Sequence, residues 1–351
     1  MATKTEQTLI IEIETKANDA ISQIAKLNKE IKKLKNENDK TSSALNKQSK
    51  SVKSLSKNYL QLTTHVAKLL TIYKAFDESV KAISVFTDFE KSMTTLGAVS
   101  NASGKQLEAF KKKALDLGKS TQYTAGQVAE AMTNLSRAGL SSEQILSNIP
   151  SVLDVATVSM TTLEESAKMT TIAIQGFGLD ITKDSQRVAD VMVAASNDSS
   201  QAITDLSQAY SKVAPVATTY NYSLEETTAA LEILANAGRK GAEAGTQLKI
   251  VMSRLAGNNE ARKYIEELGI SMYDSEGNLL SFKQQLRLLG ETLGKLPPQM
   301  RAIYASRIFG EEGKASAEIM MKYLDDIYEK EEKLKRSQGE SSRVADQMMQ
   351  N

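Results

Sequence analysis

From Ala17 to about Ile83, apolar side chains recur at alternating spacings of three and four, and the chain reads as one long helix with a single apolar seam. With a positions at Ile24, Ile31, Asn38, Leu45, Val52, Tyr59, Val66, Tyr73 and Val80, the d positions are Leu27, Leu34, Thr41, Gln48, Leu55, Leu62, Leu69, Phe76 and Ile83. This is a coiled-coil signal, because a seven-residue repeat keeps one stripe facing a partner helix. Asn38, Thr41 and Gln48 interrupt the seam together, which either fixes register and oligomer number or marks a joint. The serine-rich run from Thr41 to Lys57 favours the joint, since serine is a mediocre helix former. At about 1.5 Å of rise per residue, a helix over 17–83 extends roughly 100 Å. Ahead of it, TLIIEIE at Thr8 to Glu14 alternates apolar and polar residues like a short strand, which must pair elsewhere or stay loose.

After Val85 the pattern changes to shorter amphipathic helices with explicit ends. Three segments share one plan: Thr124 to Gly139, Thr162 to Gly176 and Ser223 to Gly238 each open on a capping box and close at a glycine. The boxes pair Thr124 with Gln127, Thr162 with Glu165, and Ser223 with Glu226. Alanines at Ala129, Ala131, Ala173, Ala229, Ala230 and Ala235 suit close helix packing, and the region reads as a compact domain of about eight helices. In GISMYDSEGNLLSF, Gly269 to Phe282, two apolar stretches flank turn formers from Asp274 to Asn278 and predict a small β-hairpin. Pro297-Pro298 then precedes a helix from near Gln299 that Gly310 and Gly313 close, and a charged helix follows from about Ala315 to Lys335. SSRVADQMMQN at the end resembles the start of another helix. The expected fold class is mainly all-α: an arm at 1–16, a coiled-coil rod at 17–84, a multi-helix core at 85–313, and a charged C-terminal helix with a cut-off tail at 314–351.

Composition narrows the chemistry. Aromatics make up 5% of the chain and tryptophan is absent, so the core must rest on Ala, Leu, Ile, Val and Met, as tightly packed helices allow. The net charge of +1 exerts no global pull toward nucleic acid or acidic lipid. Seven lysines and no acid lie between Lys40 and Phe76, so this half of the rod is basic. Lysine without interleaved arginine or stacking aromatics supports only weak, salt-sensitive DNA contact, and a solvated outer face explains the run more simply. The absence of cysteine excludes disulfides, thiolate metal sites and cysteine nucleophiles. No apolar run approaches the ~18 residues needed to span a bilayer, and the start lacks the pattern of a secretory signal.

The most informative stretch is ANAGRKGAEAGTQLKIVMSR, Ala235 to Arg254. Gly238 falls where a helix end needs a left-handed residue, and Gly241 and Gly245 let two backbones approach. Together with STQYTAGQVAEAMTNLSRAGL at Ser120 to Leu140, which contains Gly139, VADVMVAAS at Val188 to Ser196, and IFGEEG at Ile308 to Gly313, which contains Gly310, this stretch resembles the core of phage tail tape measure proteins. The resemblance covers roughly Val85 to Met320. It implies a structural protein of a phage or prophage tail, not an enzyme, that lies in the tail lumen, templates the tube to a fixed length and leaves when DNA is ejected. It also implies assembly in the host cytoplasm with tail tube protein, tail tip or baseplate proteins and tail assembly chaperones as partners, and a homo-oligomer through the heptad seam. Even one unbroken helix of 351 residues would reach only about 530 Å, so a piece or shortened prophage copy of a longer protein is expected. The rival reading is a bacterial coiled-coil protein that binds DNA or envelope components through its lysine-rich rod.

The remaining motifs carry little chemistry, and neither a cofactor nor a metal is expected. Gly118-Lys119-Ser120 copies the end of a phosphate-binding loop, but Lys113 stands where its first glycine belongs. Gly176-Phe177-Gly178 lacks the strand and third glycine of a dinucleotide fingerprint and reads as a helix stop. His65 is the only histidine, so two-histidine metal sites are excluded. Glu164-Glu165 and Glu225-Glu226 resemble the acid pairs of a wall hydrolase, yet first-turn carboxylates that complement a helix dipole account for them. Tyr220 and Tyr222, just ahead of a capped helix, are candidates for a contact surface. Arg239 and Lys240, on the tight turn, either face an acidic partner or complement the C-terminus of the helix before them.

Overall fold

A computed structural model describes residues 86–350 and, nearer the start, the helical residues Lys26, Lys29, Glu30, Lys32 and Lys33. The strand expected at Thr8 to Glu14, His65 and every a and d position of the heptad seam lie outside the described residues. Chain contacts divide the molecule into Met1–Asp88 and Phe89–Asn351, and the second unit holds the buried core among the described residues. It is all-helical, as the sequence predicts. Its helices are α1 (86–100), α2 (Gly104–Ser120), α3 (Ala125–Arg137), α4 (Ser142–Ser159), α5 (Leu163–Gly176), α6 (Ile181–Asp198), α7 (Ile203–Thr219), α8 (Leu224–Asn236), α9 (Gly241–Gly257), α10 (Asn259–Glu267), α11 (Phe282–Gly294), α12 (Pro298–Lys322), α13 (Leu324–Lys335) and α14 (Glu340–Met349).

The expectation of about eight helices for the core is therefore too low. Helices abut with almost no connecting chain: Asn258 alone ends α9 and starts α10, its side chain accepting from the Ala261 N–H at 2.8 Å. Within α12, Gly310 takes φ 69° and ψ 167°, a non-helical conformation that ends the stretch begun at Pro298, as expected, and kinks the chain into a second helical stretch, inside which the expected boundary at 313/314 falls.

The helix ends follow local chemistry. Thr124 and Gln127 form a reciprocal box, each side chain accepting from the other residue's N–H. At Thr162 and Ser223 the hydroxyl caps as expected but neither expected reciprocal box is completed by its glutamate, and the Glu226 carboxylate accepts instead from the N–H of Lys283 in α11. Gly139 and Gly238 both adopt φ 88°. The residue after each glycine donates back to a helical carbonyl, Leu140 to Leu135 and Arg239 to Leu234. In α5 the left-handed residue is Gly178, φ 64°, rather than Gly176, which remains helical.

α8 is the centre of the unit. Every residue from Leu224 to Ala235 is buried, and α6, α7, α9, α12 and α13 surround it. α9 lies against both α7 and α12, while α4 packs on α5, α6 and α14. The six alanines singled out for close packing are all buried. Small side chains let helix axes approach, so the core fills without large rings.

The β-hairpin is not present: the described residues contain no strand. Tyr273 and Leu279 form one isolated antiparallel bridge, and Leu280 donates to Met272 at 2.9 Å. Pairing stops there because both flanks are committed to helix ends. Ile270 donates back to Ile265 to close α10, and the Ser281 N–H donates to Gln284 at the start of α11.

Candidate functional site

The α8–α9 corner is built by its glycines. Gly238 supplies the left-handed turn, and Gly241, φ 58°, starts α9 beside the Gln208 side chain of α7. At Gly245 the α7 backbone is so close that a Cβ would lie 2.4 Å from the carbonyl oxygen of Ala209. Further along α9, Arg254 packs over Gly310 of α12, and Ile250 and Val251 pack against Gly313. The structure thus brings Gly238, Gly241, Gly245 and Gly310 together along α9 and the helices beside it. Gly139 is elsewhere, ending α3 with open space where a side chain would start.

The two cations of the corner are engaged within the fold. Arg239 Nη1 donates to Gln247 of α9 and, at 3.1 Å, to the buried Ser316 hydroxyl of α12. Lys240 Nζ donates to the Ser200 carbonyl in the α6–α7 loop. Ser200 is tied to the end of α8 as well, its N–H donating to Asn236 Oδ1 at 3.1 Å and its hydroxyl to the Ala235 carbonyl at 2.9 Å. The turn is stitched on one side to α12 and on the other to the α6–α7 loop.

Tyr220 and Tyr222 face inward to different degrees. Tyr222 is 4% exposed, its hydroxyl donating to Gln285 Oε1 at 3.0 Å and its ring meeting Phe282 edge-on at 5.5 Å. Burial pushes its phenol pKa up, so it stays a neutral donor. Tyr220 is half-buried, its ring 6.3 Å from that of Tyr222 and its hydroxyl over Gly257 of α9. Asn221, at φ 60°, is the left-handed residue that ends α7 and turns Tyr222 into the core.

Of the acid pairs, Glu164 and Glu165 are exposed in the first turn of α5, whereas Glu225 and Glu226 are buried. Arg187 of α6 binds Glu225 with two parallel bonds of 2.7 and 2.8 Å. Burial raises the Glu226 pKa, opposed by the Lys283 N–H, which donates to it at 3.0 Å. One further acid of α8, which sequence reasoning passed over, is Glu232. It is fully buried and receives Lys330 Nζ of α13 at 2.7 Å, an ammonium that also reaches Asp198 Oδ2 at 2.7 Å. Burial lifts the Glu232 carboxyl to about 7, against the pull of Lys330. The Lys330 pKa is also raised, because two carboxylates outweigh the desolvation of one ammonium. A signal for this cluster was legible: Lys330 and Glu331 occupy the inner stripe of α13 between Ile327 and Leu334.

The three acids of α8 are each engaged from another helix, Glu225 by Arg187, Glu226 by the Lys283 N–H and Glu232 through Oε2 by Lys330, while the Glu232 Oε1 atom is buried without a partner. Among the described residues no group of three His, Asp or Glu side chains is arranged to hold a metal ion, and no helix is long and apolar enough to cross a membrane.

The family model for phage-related minor tail proteins matches residues 111–310, from within α2 to the glycine that bends α12. The chain is 33% identical over 275 residues to the tape measure protein of Pneumococcus phage Dp-1, a match covering 77% of this chain and 24% of that protein. It is 30% identical over 247 residues to the probable tape measure protein of Escherichia phage P2, covering 69% of this chain and 30% of the relative. No solved structure matches it. The chain thus spans only about a quarter to a third of the length of these relatives. With the contacts of Gly241, Gly245 and Gly310 along α9 inside the matched segment, the chain belongs to the family of phage-related minor tail proteins and is similar over most of its length to phage tape measure proteins.

Proposed function

We propose that this chain is the assembly core of a tape measure protein together with the first part of its ruler, a structural element that sets tail length from inside the tail tube. The observation that carries the reading is the family match across α2 to α12, the segment that packs around α8 and α9. A tightly packed helical body whose buried α8 acids are engaged from neighbouring helices suits a docking module. Its expected partners are tail tube protein, the tip or baseplate proteins and the assembly chaperones. The heptad seam over 17–83 supplies both an extended element and a means of forming a small homo-oligomer. Glycines at Gly241, Gly245 and Gly310 maintain the α7–α9–α12 packing on which docking depends, and Gly139 and Gly238 set helix ends.

The test is tail length by electron microscopy in a phage or prophage encoding the protein, after an in-frame deletion of four heptads within 17–83. Tails shorter by about 42 Å, the rise of 28 helical residues, are expected. Tails of normal length would assign the seam to docking or oligomerisation and place the ruler elsewhere. Intact tails together with salt-sensitive binding of duplex DNA by the isolated protein would favour the lysine-rich rod as a DNA contact.

A further inference from the structure

α13 and α14 cover the buried centre of the unit, yet they are held differently from the helices beneath them. Fully buried apolar anchors in the two helices come down to Ile327, Leu334 and Ala345. α9 alone buries Ala244, Leu248, Val251, Met252, Leu255 and Ala256. The other two buried positions on the inner stripe of α13 are charged. Lys330 Nζ reaches Glu232 of α8 and Asp198 of α6, each at 2.7 Å, and also the Asp198 carbonyl at 2.9 Å. Glu331 forms ion pairs with Lys283 Nζ of α11 at 2.8 Å and with Lys335 Nζ at 2.6 Å.

α14 is held by carboxylates at its N-terminus. Asp190 of α6, itself buried, accepts from the Gly339 N–H at 2.8 Å and from the Ser341 N–H and hydroxyl at 3.0 and 2.7 Å. Asp154 of α4 accepts from the Ser342 hydroxyl at 2.6 Å. Negative charge placed there complements the helix dipole. Ion pairs and polar contacts can be exchanged for contacts with water, whereas buried apolar surface gains nothing from exposure. An element fastened mainly by such contacts opens at a lower free energy than the apolar core, as a local unit. The family segment ends at residue 310, so α13 and α14 also lie outside the part of the chain shared with the family model.

We infer that residues 324–349 form a releasable clasp, closed by the Lys330–Glu232–Asp198 cluster and by Asp190 and Asp154, which opens as one unit to uncover the acidic faces of α4, α6 and α8 while the rest of the unit stays folded. This does not depend on the tail reading. The test is amide hydrogen exchange on the whole chain, unmodified and with Lys330→Met or Asp190→Asn. In the unmodified chain the amides of 324–349 exchange together, at least tenfold faster than those of α9. Either substitution speeds exchange across 324–349 about tenfold more and leaves α7 and α9 unchanged. Adding Glu232→Gln to Lys330→Met, which removes the buried unpaired carboxylate, returns part of the protection. The inference is overturned if 324–349 and α9 become exposed only in the same opening event, or if both single variants loosen α9 as much as the clasp.

Discussion

Replacing Gly245 by alanine tests whether the α7–α9 contact is set by the absence of one carbon. A Cβ at this position would lie 2.4 Å from the carbonyl oxygen, 2.6 Å from the Cα and 2.8 Å from the carbonyl carbon of Ala209. All three are backbone atoms, so no side chain can rotate away. Restoring contacts of ~3.5 Å requires the two helices to part by about 1 Å, and a gap of that size forfeits a quarter to a half of the dispersion energy of each separated pair. Overpacking of this kind costs about 1–3 kcal/mol, and the gain in helix propensity from glycine to alanine offsets at most about 1 kcal/mol. We expect a net loss of about 1–2 kcal/mol in urea unfolding, seen as a fall in Tm of about 2–4 °C per kcal/mol. Gly290→Ala in α11 is the control, because its Cβ would meet only Met321, at 3.6 Å or more. That variant should match or exceed the parent by up to about 1 kcal/mol. If Gly245→Ala is as stable as the parent while Gly290→Ala behaves as stated, the close crossing of α7 and α9 is wrong.

Three further outcomes follow from the buried polar groups and the remaining glycine contacts. Glu232 has its folded pKa raised to about 7 from 4.5, so between those values the folded chain keeps a proton that the unfolded chain has lost. Stability from this group is full below about pH 4.5 and withdrawn as pH rises toward 7; relative to Glu232→Gln, the parent should lose up to about 3 kcal/mol across that window in pH-dependent urea melts, and parallel curves would refute the assignment. Tyr222→Phe leaves Gln285 Oε1 buried without its donor and should cost about 1–2 kcal/mol by the same melts, with no loss expected only if that oxygen finds water. Gly257→Ala would place a Cβ 1.9 Å from the Tyr220 hydroxyl, a nominally worse clash than at Gly245. The obstacle is the tip of a half-buried side chain that can swing aside, so the cost should stay below about 1 kcal/mol, and a loss matching that of Gly245→Ala would show Tyr220 to be locked.

Helix punctuation was legible wherever a residue's own chemistry decides it. Thr124 with Gln127 and Gly139 with Gly238 act locally, through bonds within a few residues, and they stand where the pattern placed them. Starts without such chemistry were hidden. α7 begins after Ala202, whose side chain cannot accept a bond, and only the Asp205 carboxylate reaching back to the Ala202 N–H marks it. Pro150 and Pro215 stand inside α4 and α7, where local rules would stop a helix, because packing against α5, α6 and α9 outweighs one missing backbone bond. The turn from Asp274 to Asn278 was correctly placed, but whether its flanks become strands depends on what else claims them, and here two helix ends do.

The glycines at the corner were legible and the side chains around it were not, and the difference has one cause. Left-handed backbone at Gly238 is a property of the residue itself, and a glycine at a helix end announces it; the positive φ of Gly241 was not legible, and its near neighbour is the Gln208 side chain rather than a second backbone. Whether Tyr222, Arg239 or Glu225 faces solvent is decided by partners far along the chain: Arg187 lies 38 residues from Glu225, and Lys330 lies 98 residues from Glu232. Polar residues were read as surface because a charge is stable there without help. α8 defeats that rule since it is buried on every side, and each acid it carries must then be met by a donor from another helix. The same requirement makes the arrangement specific. A sliding or rotation of α8 would strand Glu225, Glu226 and Glu232 together, so its acids fix the orientation that its apolar residues, present on all faces, leave open.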